Sequence, residues 1–239
     1  MIAPGREPRE TASSSGTDGV IRPATRRGRR PGGNSDETRQ TILDVALAHF
    51  AERGYASTTI TAIAAEAGLA TSAVYHYYDG KEPLYEAVFF AIAPRVWEGM
   101  AASVRDAPTM LDGIEAMLRG RGGPRGPHVS PFLAGMPTVA VLHPEFEHLL
   151  KARTKLQEPV FRALAELGLQ TGELADLTID EASGMLRAFV MGWFFERHFE
   201  GPDREENIAG VLQAFRLMAA GARHLAADRP PAPRRTTKR

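Results

Sequence analysis

An all-α fold is predicted for this chain: a three-helix head built around a helix-turn-helix, followed by a larger helical body. Three observations carry that expectation. Apolar residues recur at spacings of three and four, the repeat of one helix face. Glycine and proline fall where such helices would end. Runs that alternate apolar and polar residues, as half-buried strands do, are weak throughout. A hydrophobic fraction of 43% over 239 residues supplies a sizeable core.

Taken in order, residues 1–34 are rich in Gly, Pro, Ser, Thr and Arg, have almost nothing to bury, and read as a disordered arm. Within it Arg22, Arg26, Arg27, Arg29 and Arg30 form a basic cluster with no acid among them. The first helix is expected from Asp36 or Glu37 to Arg53, with Ser35 as N-cap, Ile42, Ala46 and Phe50 on one face, and Gly54 as the stop. Short helices follow at 60–67 and 71–77, and a longer one starts near Lys81, with Pro83 tolerated in its first turn. Further helices are expected at 109–119, 130–142, 144–167, 179–199 and 204–226, with a Gly/Pro-rich loop at 120–127. Pro94, Pro137 and Pro159 should kink or interrupt their helices. The division is then an arm (1–34), a head (35–84), a body (85–227) and a Pro/Arg tail (228–239).

Several function classes drop out. The chain has no cysteine, so neither a disulfide framework nor a thiolate metal site is possible. The N-terminus lacks the apolar run of a signal peptide, and no stretch approaches the roughly 18 unbroken apolar residues of a membrane helix. A cytoplasmic protein without a membrane partner is the expectation. There is no nucleophile elbow, Walker loop or dinucleotide-binding glycine fingerprint. The segment His143-Pro144-Glu145-Phe146-Glu147-His148 gathers two imidazoles and two carboxylates, and His143 with Glu147 could share a metal. Its spacing is not that of the zinc proteases, and a solvated helix face is the plainer reading. No catalytic residue, metal or cofactor is expected.

Residues 58–80 read TTITAIAAEAGLATSAVYHYYDG. Two short helices meeting at a steep angle need a small residue at their contact, a glycine at the turn and a branched apolar anchor in the second helix. Ala64, Gly68 and Val74 supply these, and Ile60, Ile63, Leu69 and Tyr77 can bury against the first helix. Thr59 is placed to cap the leading helix, and the Thr58 and Thr59 hydroxyls could also meet a phosphate. An ordinary helical hairpin would satisfy the same pattern.

The longer context speaks for DNA. From Thr38 to Leu84 the chain resembles the DNA-binding head of TetR-family (TetR/AcrR type) transcription regulators. The resemblance rests on Phe50-Ala51-Glu52-Arg53-Gly54-Tyr55, Thr58-Thr59, Ile63-Ala64, Ala67-Gly68, Val74-Tyr75-His76-Tyr77-Tyr78, Lys81-Glu82 and Leu84. It implies that the helix at 71–77 enters the major groove of double-stranded operator DNA, with Thr71, Ser72 and Ala73 near base edges. Hydroxyls can bond either base class, and a methyl can meet that of thymine. Tyr75 and His76 are expected on DNA, Tyr77 and Tyr78 in packing, and Lys81 at a phosphate beside free N–H groups. The sequence departs from the pattern at Ala70, where a capping Ser is usual and Thr71 is the substitute, and at Gly80. From Asp36 to Glu82 seven acids face three bases, so the folded head is mildly acidic. The arm can offset this: about 15 extended residues reach roughly 50 Å, enough to lay arginines along a flanking minor groove.

In the body, the helix opening at Thr178-Ile179-Asp180-Glu181 carries a capping-box pattern and is then apolar nearly all round. Gly184, Ala188 and Gly192 form a stripe that permits close approach of another backbone. The last helix adds Phe215 and Met218 at helical spacing. Two such helices at the end of the chain resemble the four-helix dimer interface of the same family, and a homodimer is expected. Trp97, Met100, Met117, Phe132, Met136, Phe146, Phe189 and Trp193 are the candidates for an apolar pocket, since methionine and aromatic clusters suit adaptable cavities. The resemblance thus implies a repressor released from a pseudo-palindromic operator by a small, largely apolar or aromatic effector. A ligand-independent DNA-binding protein, acting architecturally or through a protein partner, is the alternative; a roomy cavity would favour sensing and a packed body would favour the alternative.

Overall fold

The computed structural model describes residues 33–120, 126–196 and 204–227. The elements are α1 (Gly33–Ser57), α2 (Ile60–Glu66), α3 (Thr71–Tyr77), α4 (Lys81–Arg105), α5 (Met110–Leu118), α6 (Val129–Leu142), a 3₁₀ turn (Pro144–Phe146), α7 (Glu147–Gln170), α8 (Ile179–Glu196) and α9 (Arg204–Ala227). No strand occurs among the described residues. The all-α expectation holds.

Helix α1 begins ahead of Ser35, which therefore lies inside the helix rather than at its cap. The helix buries Ile42, Ala46 and Phe50. It breaks at Gly54, where φ is 76°, a conformation glycine reaches at little cost, and resumes for a last turn. That break frees carbonyls, which need donors when they are held away from water. Thr58 supplies one: its hydroxyl donates to Gly54 O at 2.8 Å and to His49 O at 3.1 Å. Lys81 supplies the other, donating from Nζ to Tyr55 O at 2.9 Å and Ala56 O at 3.3 Å.

Helix α4 runs unbroken through Pro94, as α6 and α7 do through Pro137 and Pro159. The expected interruptions do not occur. A proline removes one backbone hydrogen bond, and the long packed faces of these helices outweigh it. Among the described residues α4 alone is long and apolar enough to cross a membrane by length and composition. Here it is the central strut, with Leu84, Tyr85, Val88 and Phe89 buried against its neighbours. Helix α5 starts on two caps. Thr109 accepts from Asp112 N, and the buried Glu173 carboxylate accepts from Met110 N at 2.7 Å and Leu111 N at 3.2 Å.

An aromatic cluster joins the three-helix head to the body. Tyr85 of α4 packs on Phe50 of α1 (ring centroids 4.9 Å apart), Phe132 of α6 (5.0 Å) and Phe146 of the 3₁₀ turn (4.9 Å). Tyr55 closes it against Phe146 at 5.0 Å and His143 at 4.8 Å. Such pairs add about 0.5–1.5 kcal/mol each beyond burial. The segment from His143 to His148 is part of this seam. His148 holds Glu86 of α4 at 3.0 Å through Nε2, and its Nδ1 lies 2.9 Å from Glu145 O. His143 Nδ1 lies 3.2 Å from Glu145, while Glu147 pairs with Lys151 at 2.9 Å.

Candidate DNA-reading helix and body cavity

The head presents α3 on a rigid support. Thr59 caps α2, its hydroxyl accepting from Ala62 N at 3.2 Å. The turn passes through Gly68 at φ 69°, and Leu69 N donates to Ala64 O at 2.9 Å. Ala64 of α2 and Val74 of α3 are both essentially buried. Helix α3 starts at Thr71 as read from sequence, but Ala70 occupies the cap with no side-chain bond, so Thr71 does not replace the missing serine cap. Tyr78, at its end, is buried and accepts from Arg39 Nε at 3.3 Å.

What α3 leaves in solvent is Ser72, Tyr75 (51% exposed) and His76, with Thr71 and Ala73 half-buried beside them. A helix with anchored ends and an exposed polar-aromatic face can enter a groove without rearranging. Two residues expected at phosphates are placed otherwise. Thr58 is 1% exposed and its hydroxyl is turned inward, because the break at Gly54 needs a donor there. The Lys81 ammonium lies on the carbonyl end of α1 and 4.3 Å from the centre of the Tyr55 ring. A cation is favoured at that negative helix end. Arg26, Arg27, Arg29 and Arg30 lie outside the described residues.

The body holds a cavity of about 690 Å³ among α4, α5, α6, α7 and α8. Trp97, Met100 and Met117 line it, as expected from sequence. The other pocket candidates are placed elsewhere. Phe132 and Phe146 belong to the seam with the head, and Met136 is fully buried on the same side of α6. Phe189 is 52% exposed, and Trp193 packs on Phe194 at 5.0 Å. Their places on the wall are taken by Met191, Phe194 and Phe195, on the next face of α8. Sequence reasoning also missed Arg153 of α7, which lines the cavity.

Helix α6 has two working faces. Leu133, Ala134, Pro137 and Thr138 line the cavity, while Phe132, Met136 and Ala140 are buried on the other side. It is the wall between cavity and head.

The outer faces of α8 and α9 carry small residues. Ala188 and Gly192 are exposed, and a Cβ placed on Gly184, Gly192, Gly210 or Gly221 would meet nothing within 4 Å. Leu217 is 64% exposed on the same surface of α9. Phe215 and Met218 turn the other way: Phe215 is 2% exposed and packs on Phe189 at 6.0 Å, and Met218 is half-buried against the core.

A tight three-helix head whose third helix presents an exposed polar-aromatic face, carried on a cavity-bearing helical body, defines a helix-turn-helix DNA-binding protein. Comparison with known proteins gives the family. The model of the family "Bacterial regulatory proteins, tetR family" matches residues 42–88. The HTH-type transcriptional regulator SrpR of Pseudomonas putida is 26% identical over 184 residues, covering 70% of this chain and 78% of that protein. The HTH-type transcriptional regulator TtgW, also of Pseudomonas putida and itself uncharacterized, is 32% identical over 92 residues, 33% of this chain and 69% of that one. In fold the chain is similar to a transcriptional regulator of the TetR/AcrR family from Thermobifida fusca. That likeness has a TM-score of 0.54 at 23% identity over 78% of this chain and 98% of the other. The chain belongs to the TetR family; it is a transcriptional regulator and not an enzyme.

Proposed function

We propose that this regulator is a homodimeric repressor working in the cytoplasm, released from a pseudo-palindromic operator by a small, largely apolar ligand held in the body cavity. In this reading residues 35–84 read DNA, residues 85–227 sense and dimerise, and the arm at 1–34 follows the flanking groove. The observation that carries it is the double-faced α6, with cavity on one side and the seam to the head on the other. A ligand against Ala134 and Pro137 pushes on the helix whose Phe132 abuts Tyr85 and Phe50. It shifts DNA affinity to the extent that it prefers the arrangement in which the heads are misplaced. The coupling needed for a tenfold change is about 1.4 kcal/mol. A cavity of about 690 Å³ is of the size that holds small molecules, which favours sensing over the ligand-independent reading.

Dimerisation is supported by the α8 and α9 face, whose glycines and Ala188 let a second copy approach closely. On α3, Thr71, Ser72 and Ala73 would meet base edges, and Tyr75 and His76 bases or phosphates. Selection of bound sequences from random double-stranded DNA, followed by stoichiometry on the selected site, tests the reading. The expected result is an inverted repeat with half-sites about 34–36 Å apart, bound by one dimer or a multiple of it. A non-repeated site bound by a single copy would overturn it.

A further inference from the structure

The cavity wall carries a cation that, among the described residues, no acid neutralises. Among the described residues that line it there is no Asp or Glu, while there are two arginines. Arg119 is matched, its Nε lying 2.8 Å from Glu115 Oε1. Arg153 is different. No described carboxylate lies within ion-pair distance of it, and its partner is neutral: the Gln157 carboxamide, 1% exposed. With its oxygen turned towards the guanidinium, that amide accepts from Arg153 Nε at 3.2 Å and Nη2 at 3.1 Å. Gln157 fixes the orientation of the fork without cancelling its charge, and among the described residues it engages only the Nε and Nη2 side. Burial, and then repulsion from Arg187 on α8, both push the Arg153 pKa down from its ordinary value. A guanidinium nevertheless stays charged in proteins.

A half-buried charge facing an apolar space is costly until an opposite charge joins it, and a carboxylate matches the planar fork in geometry as well as sign. A neutral ligand leaves that cost standing. A cationic one adds to it.

Resting on the reading of this cavity as the effector site, we propose that the effector is an anionic amphiphile: its carboxylate is held by Arg153 and its apolar part lies along Trp97, Met100, Met117 and Phe194. The occupants are ranked by charge: acid first, then neutral isostere, then amine.

Three probes of one chain length separate the cases: dodecanoate, dodecan-1-ol and dodecylamine, titrated calorimetrically into the full-length protein below their aggregation limits. Dodecanoate is expected to bind about tenfold tighter than the alcohol, a difference of about 1.4 kcal/mol, and the amine most weakly. Arg153→Met, with helix content checked by circular dichroism, should erase the preference while leaving the alcohol within about threefold, and Arg153→Lys should keep part of it. If Arg153→Met does not fold, Gln157→Leu should narrow the gap by freeing the guanidinium from its support. Equal binding of acid and alcohol, tighter binding of the amine, no binding of any probe, or a preference that survives Arg153→Met would each overturn the assignment. An Arg153-dependent preference for dodecanoate with no change in operator affinity would instead leave this assignment standing and sink the sensing role of the cavity.

Discussion

The head and the body bury their apolar residues in different ways. In the head Ile42, Ile63, Ala64 and Val74 are at or near zero exposure, and the carbonyls freed by the break in α1 are taken by Thr58 and Lys81. The body leaves about 690 Å³ of cavity beneath α6 and an uncovered face along α8 and α9. A densely packed element transmits a displacement as a rigid body, because close-packed interiors resist compression. A cavity lined by methionine and aromatic side chains adapts to what fills it. On the proposed reading the labour is divided accordingly: the head holds one geometry, and the body sets where that geometry is placed.

The largest expected effect lies on the body's outer face. Gly192→Arg or Ala188→Arg should yield monomers by light scattering and reduce operator affinity by about a hundredfold or more, roughly 2.7 kcal/mol. The heads themselves should keep their fold, and a variant that stays dimeric would move the interface off α8. On α3, Ser72→Ala or Tyr75→Ala should cost about 1–3 kcal/mol of operator binding and change the preferred bases or the salt dependence. Neither should move the melting transition much, since both side chains are exposed. Base preference and affinity unchanged in both would place DNA reading elsewhere than α3.

A smaller effect is expected from removing residues 1–32. Because acids outnumber bases in the folded head, affinity should fall and the salt slope become shallower by about 0.9 for each phosphate that the arm no longer neutralises. The same curve at every salt concentration, with and without the arm, would make those arginines bystanders. Smallest is Thr59→Ala, which removes the α2 cap and should cost about 1 kcal/mol in a denaturant titration. A much larger loss would mean that the head is less independently stable than its packing implies.

The head was more legible in the sequence than the body, for the same physical reason. A helix-turn-helix admits few solutions, so Ala64, Gly68 and Val74 announced the geometry, and the bounds of α3 and the start of α4 fell where they were read. The body is constrained only to be helical and apolar. Along α8 apolar residues surround the whole axis, so nothing in the spacing says that Met191, Phe194 and Phe195 face the cavity while Phe189 is half in solvent. Phe132 and Phe146 looked like pocket residues because large aromatics serve a seam and a pocket equally well. Arg153 was hidden among Lys151, Thr154 and Lys155, all exposed, so its segment of α7 reads as a solvated face. Its only local signal is Gln157 one turn on, and a lone glutamine at that spacing is ordinary. Thr58 and Lys81 were read for their chemistry, but the broken end of α1 that claims both donors becomes visible only in three dimensions.

The most direct test of the division of labour needs no effector. Ala134→Trp fills the cavity from α6, while Gly135→Trp, one residue on, points into open space on the same helix and serves as the control. Operator affinity of both variants and of the unaltered protein would be measured by fluorescence anisotropy on the selected operator, with helix content and dimer mass verified first. Ala134→Trp is expected to weaken operator binding by about tenfold or more, equivalent to about 1.4 kcal/mol of coupling, and Gly135→Trp to leave it unchanged. Equal affinity for all three proteins, each folded and dimeric, would contradict the claim that the body's cavity governs the head.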